Sequence, residues 1–394
     1  MNLFLLRQWA QRVTAVVVAA ALLGPLVSVL ASASLRDFLY RELSYIMIAD
    51  RVIGNERNPE NVAKLLNDFV AENVYPAGGP VLDTNSWNDL LRGVGWCDQD
   101  AWLLGTLLAT RDIHGRILFL SGEEGGHVVT EVFIDDDWRI FDPYYGMAFS
   151  SGSSLATYRD LTRAPALSIS YPTVQALPTA SRVYHERFIS TLYSNPAEPT
   201  RWGSLLTEKY GSTSRWAVRL ALRTYLRIFG IWGAHRAQDL YLALHPDELV
   251  AFNETVLNWS RPNFSAEADA PALFLYHRAR NYHLYARADH AEALYQQILA
   301  EHSGSYFAEH SRYFLGVLYF QLNEQPDEAA AQLEIFIREY PDSAWIRLAH
   351  DTLGMIYEEL GAFSRAAEHY KKAAHDATLT AAVRLEALAN STAR

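Results

Sequence analysis

Apolar residues recur at three- and four-residue spacing through residues 35–75, in LRDFLYRELSYIMIAD and again in NPENVAKLLNDFVAEN. This predicts two helices, the second entered at Asn58-Pro59. A loop rich in Gly, Pro, Asn and Asp follows from Tyr75 to Asn88. In LRGVGWCDQDAWLLGTLLAT the helical spacing resumes with Trp102, Leu103, Leu107 and Leu108, so Cys97 falls where a helix begins. GRILFL, HVVTEVFI and DWRIFDPYYG then alternate or concentrate branched and aromatic residues, and read as three strands of an antiparallel sheet with Asp135-Asp136-Asp137 at the second turn. Residues 150–200 are mixed and rich in Ser, Thr and Pro, with short helical pieces such as SRVYHERFISTLY that are expected to wrap this core.

Within residues 214–236, Arg215, Arg219, Arg223 and Arg227 stand four apart and stack along one helix face. One reading is a membrane-surface helix facing anionic lipids. The other, which is preferred, is a helix packed on the protein with its arginines paired to acids, because Trp216, Leu220 and Leu226 are equally placed to face a core.

Residues 13–33, VTAVVVAAALLGPLVSVLASA, carry no charge. At about 1.5 Å rise per residue they are long enough to cross roughly 30 Å of hydrocarbon. Arg7, Arg12 and the amino terminus precede them, which places the N-terminus in the cytoplasm and the rest across a bacterial inner membrane, in the periplasm. Ala31-Ser32-Ala33 has the form of a signal-peptidase site, so a retained single-pass anchor, the favoured reading, competes with a cleaved signal; both give one compartment.

The chain repeats itself after residue 270. AEALYQQILAEHSGS from Ala291, AAAQLEIFIREYPDS from Ala329 and AAEHYKKAAHDATLT from Ala366 correspond, as do LGVLYFQL from Leu315 and LGMIYEEL from Leu353. Small residues at Gly316, Gly354, Ala291, Ala329 and Ala366 let paired helices approach, while Tyr319, Tyr357, Tyr295 and Tyr370 fill between turns. These units resemble tetratricopeptide repeats, which implies a helical solenoid whose concave surface binds a protein or peptide. Helices from 237 to 260 are expected to cap the stack. His277, His283, His290, His302 and His310 lack ligand spacing, so no metal is expected there.

With 394 residues, 50% hydrophobic and 20% charged, the chain is long enough for two folded units. A formal charge of −11 argues against nucleic acid as a partner. A single cysteine excludes an internal disulfide framework and cysteine-rich metal sites. The usual phosphate-loop, dinucleotide, zinc-protease and C-x-x-C signatures are missing, and no cofactor is expected.

That cysteine is the candidate chemistry. At a helix start, unsatisfied N–H groups and the positive end of the dipole favour a thiolate, whereas Asp98 and Asp100 push the other way. Gly93 and Gly95 remove side chains where a substrate backbone is able to approach. If Asp135 and Asp136 form a two-residue hairpin loop, facing positions sum to 271, pairing Val129 with Asp142 and Phe133 with Trp138. His127 then shares a face with Asp142 as a diagonal neighbour about 7 to 8 Å away, within reach of its carboxylate.

A thiol, an imidazole and a carboxylate in this arrangement are the parts of a nucleophilic site. The blocks RGVGWCDQDAWLLGTLL, GGHVVTEV and DDDWRIFDPYYG, in this order across residues 40–160, resemble the transglutaminase-like cysteine superfamily. The resemblance implies a papain-like α+β fold with Cys97 as nucleophile, His127 as base and acid, and Asp142 orienting His127. It further implies acyl transfer through a thioester, with the Cys97 N–H as one oxyanion donor and Trp87, Asn88 or Asn85 as candidates for a second.

The expected organisation is an anchor or signal at 1–34, a transglutaminase-like domain at 35–200, a helical linker or cap at 201–265 and repeats at 266–394. The expected function is that of a membrane-tethered cysteine-dependent amide acyl transferase or hydrolase acting on envelope proteins or peptides, with the repeats holding a protein partner. The alternative is a non-catalytic envelope scaffold in which both regions serve binding, for example in an envelope or polysaccharide export assembly.

Overall fold

The computed structural model describes residues 33–76, 86–163, 168–170, 200–202, 213–244 and 266–373, apart from 123–124, 145, 152–153 and 344 within these ranges. The apolar segment expected to span a membrane lies outside them up to residue 32. Among the described residues no helix is long and apolar enough to cross a membrane.

Two helices open the fold, α1 (Ala33–Ile53) and α2 (Pro59–Asn73). The second starts where the sequence placed it: the Asn58 side chain accepts from the N–H groups of Glu60 and Asn61, and Pro59 occupies the first turn, where no donor is needed. Two-residue strands β1 (Tyr75–Pro76) and β2 (Val94–Gly95) pair in parallel around the short helix α3 (Ser86–Arg92). Helix α4 (Cys97–Ala109) follows directly.

The strands β3 (Gly115–Gly122), β4 (Gly125–Ile134) and β5 (Asp137–Asp142) form an antiparallel meander. Its second hairpin turns on Asp135 and Asp136, both at positive φ as the tight mirror-image turn requires. The register follows the predicted sum of 271, with Thr130 opposite Phe141 and Phe133 opposite Trp138. Further short strands, β6 (Met147–Ser151), β7 (Ser154–Leu155), β8 (Ser168–Ser170) and β9 (Thr200–Trp202), extend the sheet to seven. A small helix, α5 (Tyr158–Arg163), lies between the last pairs. Because β9 pairs with β3, the sheet runs past the boundary drawn at residue 200.

The sheet is covered on both faces. Val132, Ile134, Phe141 and Ala148 pack against α1, α2, α3 and α4, while Leu118, Leu120, Val129, Ile140 and Phe149 pack with Ala156 and Leu161. This alternation is the period-two pattern of the strand sequences made physical.

The long helix α6 (Thr213–Leu244), kinked at Gly230, packs on α1. The arginine stripe divides here. Arg219 forms a buried ion pair with Glu42 and Arg223 pairs with Asp112, which agrees with the protein-packed reading, whereas Arg227 is exposed. Leu226 is buried, but Leu220 is 49% exposed and does not face a core. The side chains of Arg215 and Trp216 lie outside the described set.

Three helix pairs follow among the described residues: α7 (Ala266–Leu284) with α8 (Ala288–Glu301), α9 (Tyr306–Gln321) with α10 (Pro326–Glu339), and α11 (Ile346–Glu359) with α12 (Phe363–Ala373). Ala291, Ala329 and Ala366 are fully buried at equivalent places, and so are Tyr295 and Tyr370. A side chain at Gly316 would meet Leu333 at 2.7 Å, and one at Gly354 would collide with the Tyr370 ring. These small residues therefore set the spacing within each pair. The expected cap is described only as far as Leu244: His235 packs on Tyr282, Tyr241 stacks on Tyr40, and residues 245–260 lie outside the described set.

Candidate active site

Cys97 occupies the first turn of α4, after an extended N-cap residue, Trp96. The Gln99 side chain reaches back to accept from the Trp96 N–H at 2.9 Å, and the Trp96 carbonyl accepts from the Asp100 N–H at 2.9 Å. The entry to the helix is thus pinned, and the earliest N–H groups, Cys97 included, have no partner within the helix. Cys97 is half-buried and packs beside Ala101, Ile117 and Val128. The Thr130 hydroxyl donates to the Ala101 carbonyl at 3.2 Å and ties α4 to the strand that carries His127.

His127 and Asp142 are buried at the same end of the β4–β5 ladder, with His127 Nε2 2.7 Å from Asp142 Oδ2. The imidazole also has a side-chain hydrogen bond with Cys97, for which Nδ1 is the nitrogen left over. Burial works against a proton on His127. The Asp142 carboxylate, by charge and by hydrogen bond, and then the Cys97 sulfur outweigh it, and the imidazole is pushed up to about 10. The three residues selected from sequence are therefore brought together.

The oxyanion candidates fare differently. Trp87 is spent in the core, its ring edge-on to Tyr40 and Tyr45 of α1. Asn88 lies half-buried on α3, and Asn85 is outside the described residues. The two glycines before the cysteine serve packing rather than substrate approach. Gly93 is at φ +73°, and a Cβ there would stand 2.7 Å from Cζ of Phe314 in α9; a Cβ on Gly95 would meet Asp100 Oδ1 and Val74 Cγ1 at 2.9 Å.

Two residues around the site, Tyr144 and Arg280, escaped the sequence reading, and a third, Asp100, was read as a charge opposing the thiolate. Tyr144 sets its ring edge-on to His127 at 5.9 Å, and burial first, then the proximity of the ionisable groups of Cys97, Asp100 and Asp142, hold its phenol protonated. Its only signal was the Asp-Pro-Tyr run after β5. Asp100 is fully buried and neither carboxyl oxygen has a hydrogen-bond partner among the described residues. Burial first, then Asp89, Cys97 and Asp142, raise it well above the usual carboxylate range, so it opposes a thiolate less than a charged residue at this spacing was expected to.

The other unread residue is distant in sequence. Arg280 of α7, 1% exposed, donates to the carbonyl oxygens of Leu90 and Leu91 at 2.9 Å and lies 3.7 Å over the Phe314 ring. The Tyr276 hydroxyl donates to Leu91 O at 3.0 Å. Both cap the C-terminal end of α3, where carbonyl groups lack helical partners and the dipole favours a cation. A lone arginine in a repeat helix carried no signal for this.

Residues 312–343, which run from within α9 through α10, match the family described as tetratricopeptide repeat. No curated protein and no solved structure matches the chain.

Proposed function

We propose that the protein is a cysteine-dependent amide acyl transferase or hydrolase of transglutaminase-like or protease-like type, tethered to the bacterial inner membrane by residues 13–33 and acting in the periplasm on envelope proteins or peptides. The observation that carries this reading is the contact chain from Asp142 Oδ2 through the His127 imidazole to Cys97, a half-buried residue at a helix start. In this mechanism the thiolate attacks an amide carbonyl, and the N–H groups of the first turn of α4, that of Cys97 among them, stabilise the oxyanion. His127, held by Asp142, gives its proton to the leaving amine. Water or a second amine then takes the acyl group from the thioester.

The match of residues 312–343 to the tetratricopeptide repeat supports protein binding by the helical region, as the means of bringing in a substrate or partner. The test requires no known substrate. The rate of Cys97 alkylation by iodoacetamide is followed against pH in the full chain and in the His127→Ala and Asp142→Ala variants. A thiol that reacts at about pH 6 to 7, and loses that reactivity without His127, supports the enzyme. A thiol with the ordinary profile centred near about 8.5, indifferent to both substitutions, overturns it and leaves the scaffold reading.

A further inference from the structure

A second concave feature lies away from the cysteine. A cavity of about 350 Å³ opens between the end of α1 and the kink of α6, and Arg57, Arg111, Arg223 and Arg227 line it together with one carboxylate, Asp50. A concentration of four guanidinium groups is unusual in a chain of formal charge −11. Two of them are balanced: Arg111 by Asp50 within the cavity, and Arg223 by Asp112 at 3.6 Å. Arg227 is exposed and forms no ion pair among the described residues. Arg57 stands beside Glu56: its guanidinium donates to the Glu56 carbonyl oxygen at 2.8 Å and, after the N–H groups of Asn58 and Arg57, its charge helps hold the Glu56 carboxylate ionised.

We propose that this cavity binds a phosphate group, seated among the guanidinium groups of Arg57, Arg111, Arg223 and Arg227. Four guanidinium groups against Asp50, Asp112 and Glu56 leave the cavity net positive, which sets the sign of the ligand. The planar forks of several arginines, each presenting paired donors, suit an anion with three or four acceptor oxygens better than a carboxylate with two. The lining is also under electrostatic tension without such a ligand, since burial and the nearby Arg223 lower Arg111 to about 10. An anion between the two groups relieves that repulsion.

Phosphate of this kind comes from a soluble phosphate ester or from a lipid headgroup such as phosphatidic acid. Ile228, Phe229 and Trp232 flank the kink at Gly230, with 68%, 46% and 57% of their surface exposed, and place apolar side chains beside the cavity on the same helix. That arrangement gives the lipid source a physical basis, and the experiment separates the two.

The full chain in non-ionic detergent is titrated by calorimetry with inorganic phosphate, and in parallel with mixed micelles carrying phosphatidic acid or, as control, phosphatidylcholine. Saturable binding of inorganic phosphate, weakened at least tenfold in the Arg57→Gln/Arg227→Gln variant and unchanged in Lys372→Gln, is the expected result. Both substituted arginines are exposed, so folding should be kept, and equal melting temperatures verify it. Phosphatidic acid binding at least tenfold tighter than inorganic phosphate, with Trp232 fluorescence quenched by brominated acyl chains, assigns a lipid. Equal affinity for the two, without quenching, assigns a soluble ester. No binding of either probe, or equal loss in the Lys372→Gln control, overturns the proposal.

Discussion

The guanidinium Nε of Arg280 donates to the carbonyl oxygen of Leu91 at 2.9 Å, so a helix of the repeat region holds the segment that leads into Cys97. The contact is part of a wider junction. Arg51 donates to Leu284 O, Tyr285 to Ser44, and Asn281 to Tyr40, while Tyr75 and Val94 of the paired short strands pack against the repeat core. A region that resembles a separate binding module is, in packing terms, the support of the segment that leads into the candidate active site.

Removing Arg280 therefore has two effects. Arg280→Ala should destabilise the chain by about 3 kcal/mol, because it strips charge-assisted hydrogen bonds and leaves buried carbonyl groups of α3 unsatisfied. It should also slow alkylation of Cys97 under conditions where the protein remains folded. Tyr276→Phe, which removes one bond to the same carbonyl, should cost about 1 kcal/mol. Denaturant unfolding and alkylation on the same samples check both. Full reactivity in a destabilised Arg280→Ala protein would show that α7 supports stability alone.

His127 makes stability depend on pH. Its folded proton affinity is raised to about 10 from an ordinary 6.5, so its contribution is fully present below about pH 6.5 and is lost as pH rises toward 10. The wild type should accordingly lose stability relative to His127→Gln across that window, measured by thermal melting. In a Cys97→Ala background the fall should be smaller, since the sulfur is part of what holds the proton. Parallel pH curves for wild type and His127→Gln would show that the imidazole titrates as an ordinary one.

How far the sequence was legible depends on range. Local signals held: the Asn58 cap, the start of α4 and the Asp135-Asp136 turn each follow from residues within one turn of each other. The turn then set the ladder register, and the register put His127 beside Asp142, so a long-range contact was readable because a short hairpin carried it. Contacts without such a carrier were not. Nothing near Gly93 announces Phe314, more than two hundred residues later, and nothing near Arg280 announces Leu91. Short edge strands such as β7, β8 and β9, two or three residues each, are too brief to show a period.

Gly93 offers a direct test of the junction. Its φ of +73° and the 2.7 Å approach of Phe314 each oppose a side chain, so Gly93→Ala should cost about 2 kcal/mol or more. Gly361, at φ +71° with open space around it, isolates the backbone part, and Gly361→Ala should cost about 1 kcal/mol. Shortening the opposing ring with Phe314→Leu should recover part of the Gly93→Ala loss, giving a coupling energy of about 1 kcal/mol in a double-mutant cycle. Strict additivity would place the two residues apart in solution.

Asp100 is the least satisfied group beside the cysteine, and its charge state decides what it does there. Buried without a partner among the described residues, and raised above the ordinary carboxylate, it contributes stability below the unfolded value of about 4 and loses it as pH rises through its folded value. Asp100→Asn keeps the shape and cannot ionise. The variant should therefore be more stable than the wild type at about pH 8, and the difference should shrink as pH falls toward 4. Thermal melting at several pH values measures it. If the gap instead stays constant, the carboxyl does not change protonation over that range. If Asp100→Asn is the less stable protein at about pH 8, the carboxylate has a stabilising partner in solution, and the electrostatics of the Cys97 site must be redrawn around a charged residue three positions along its helix.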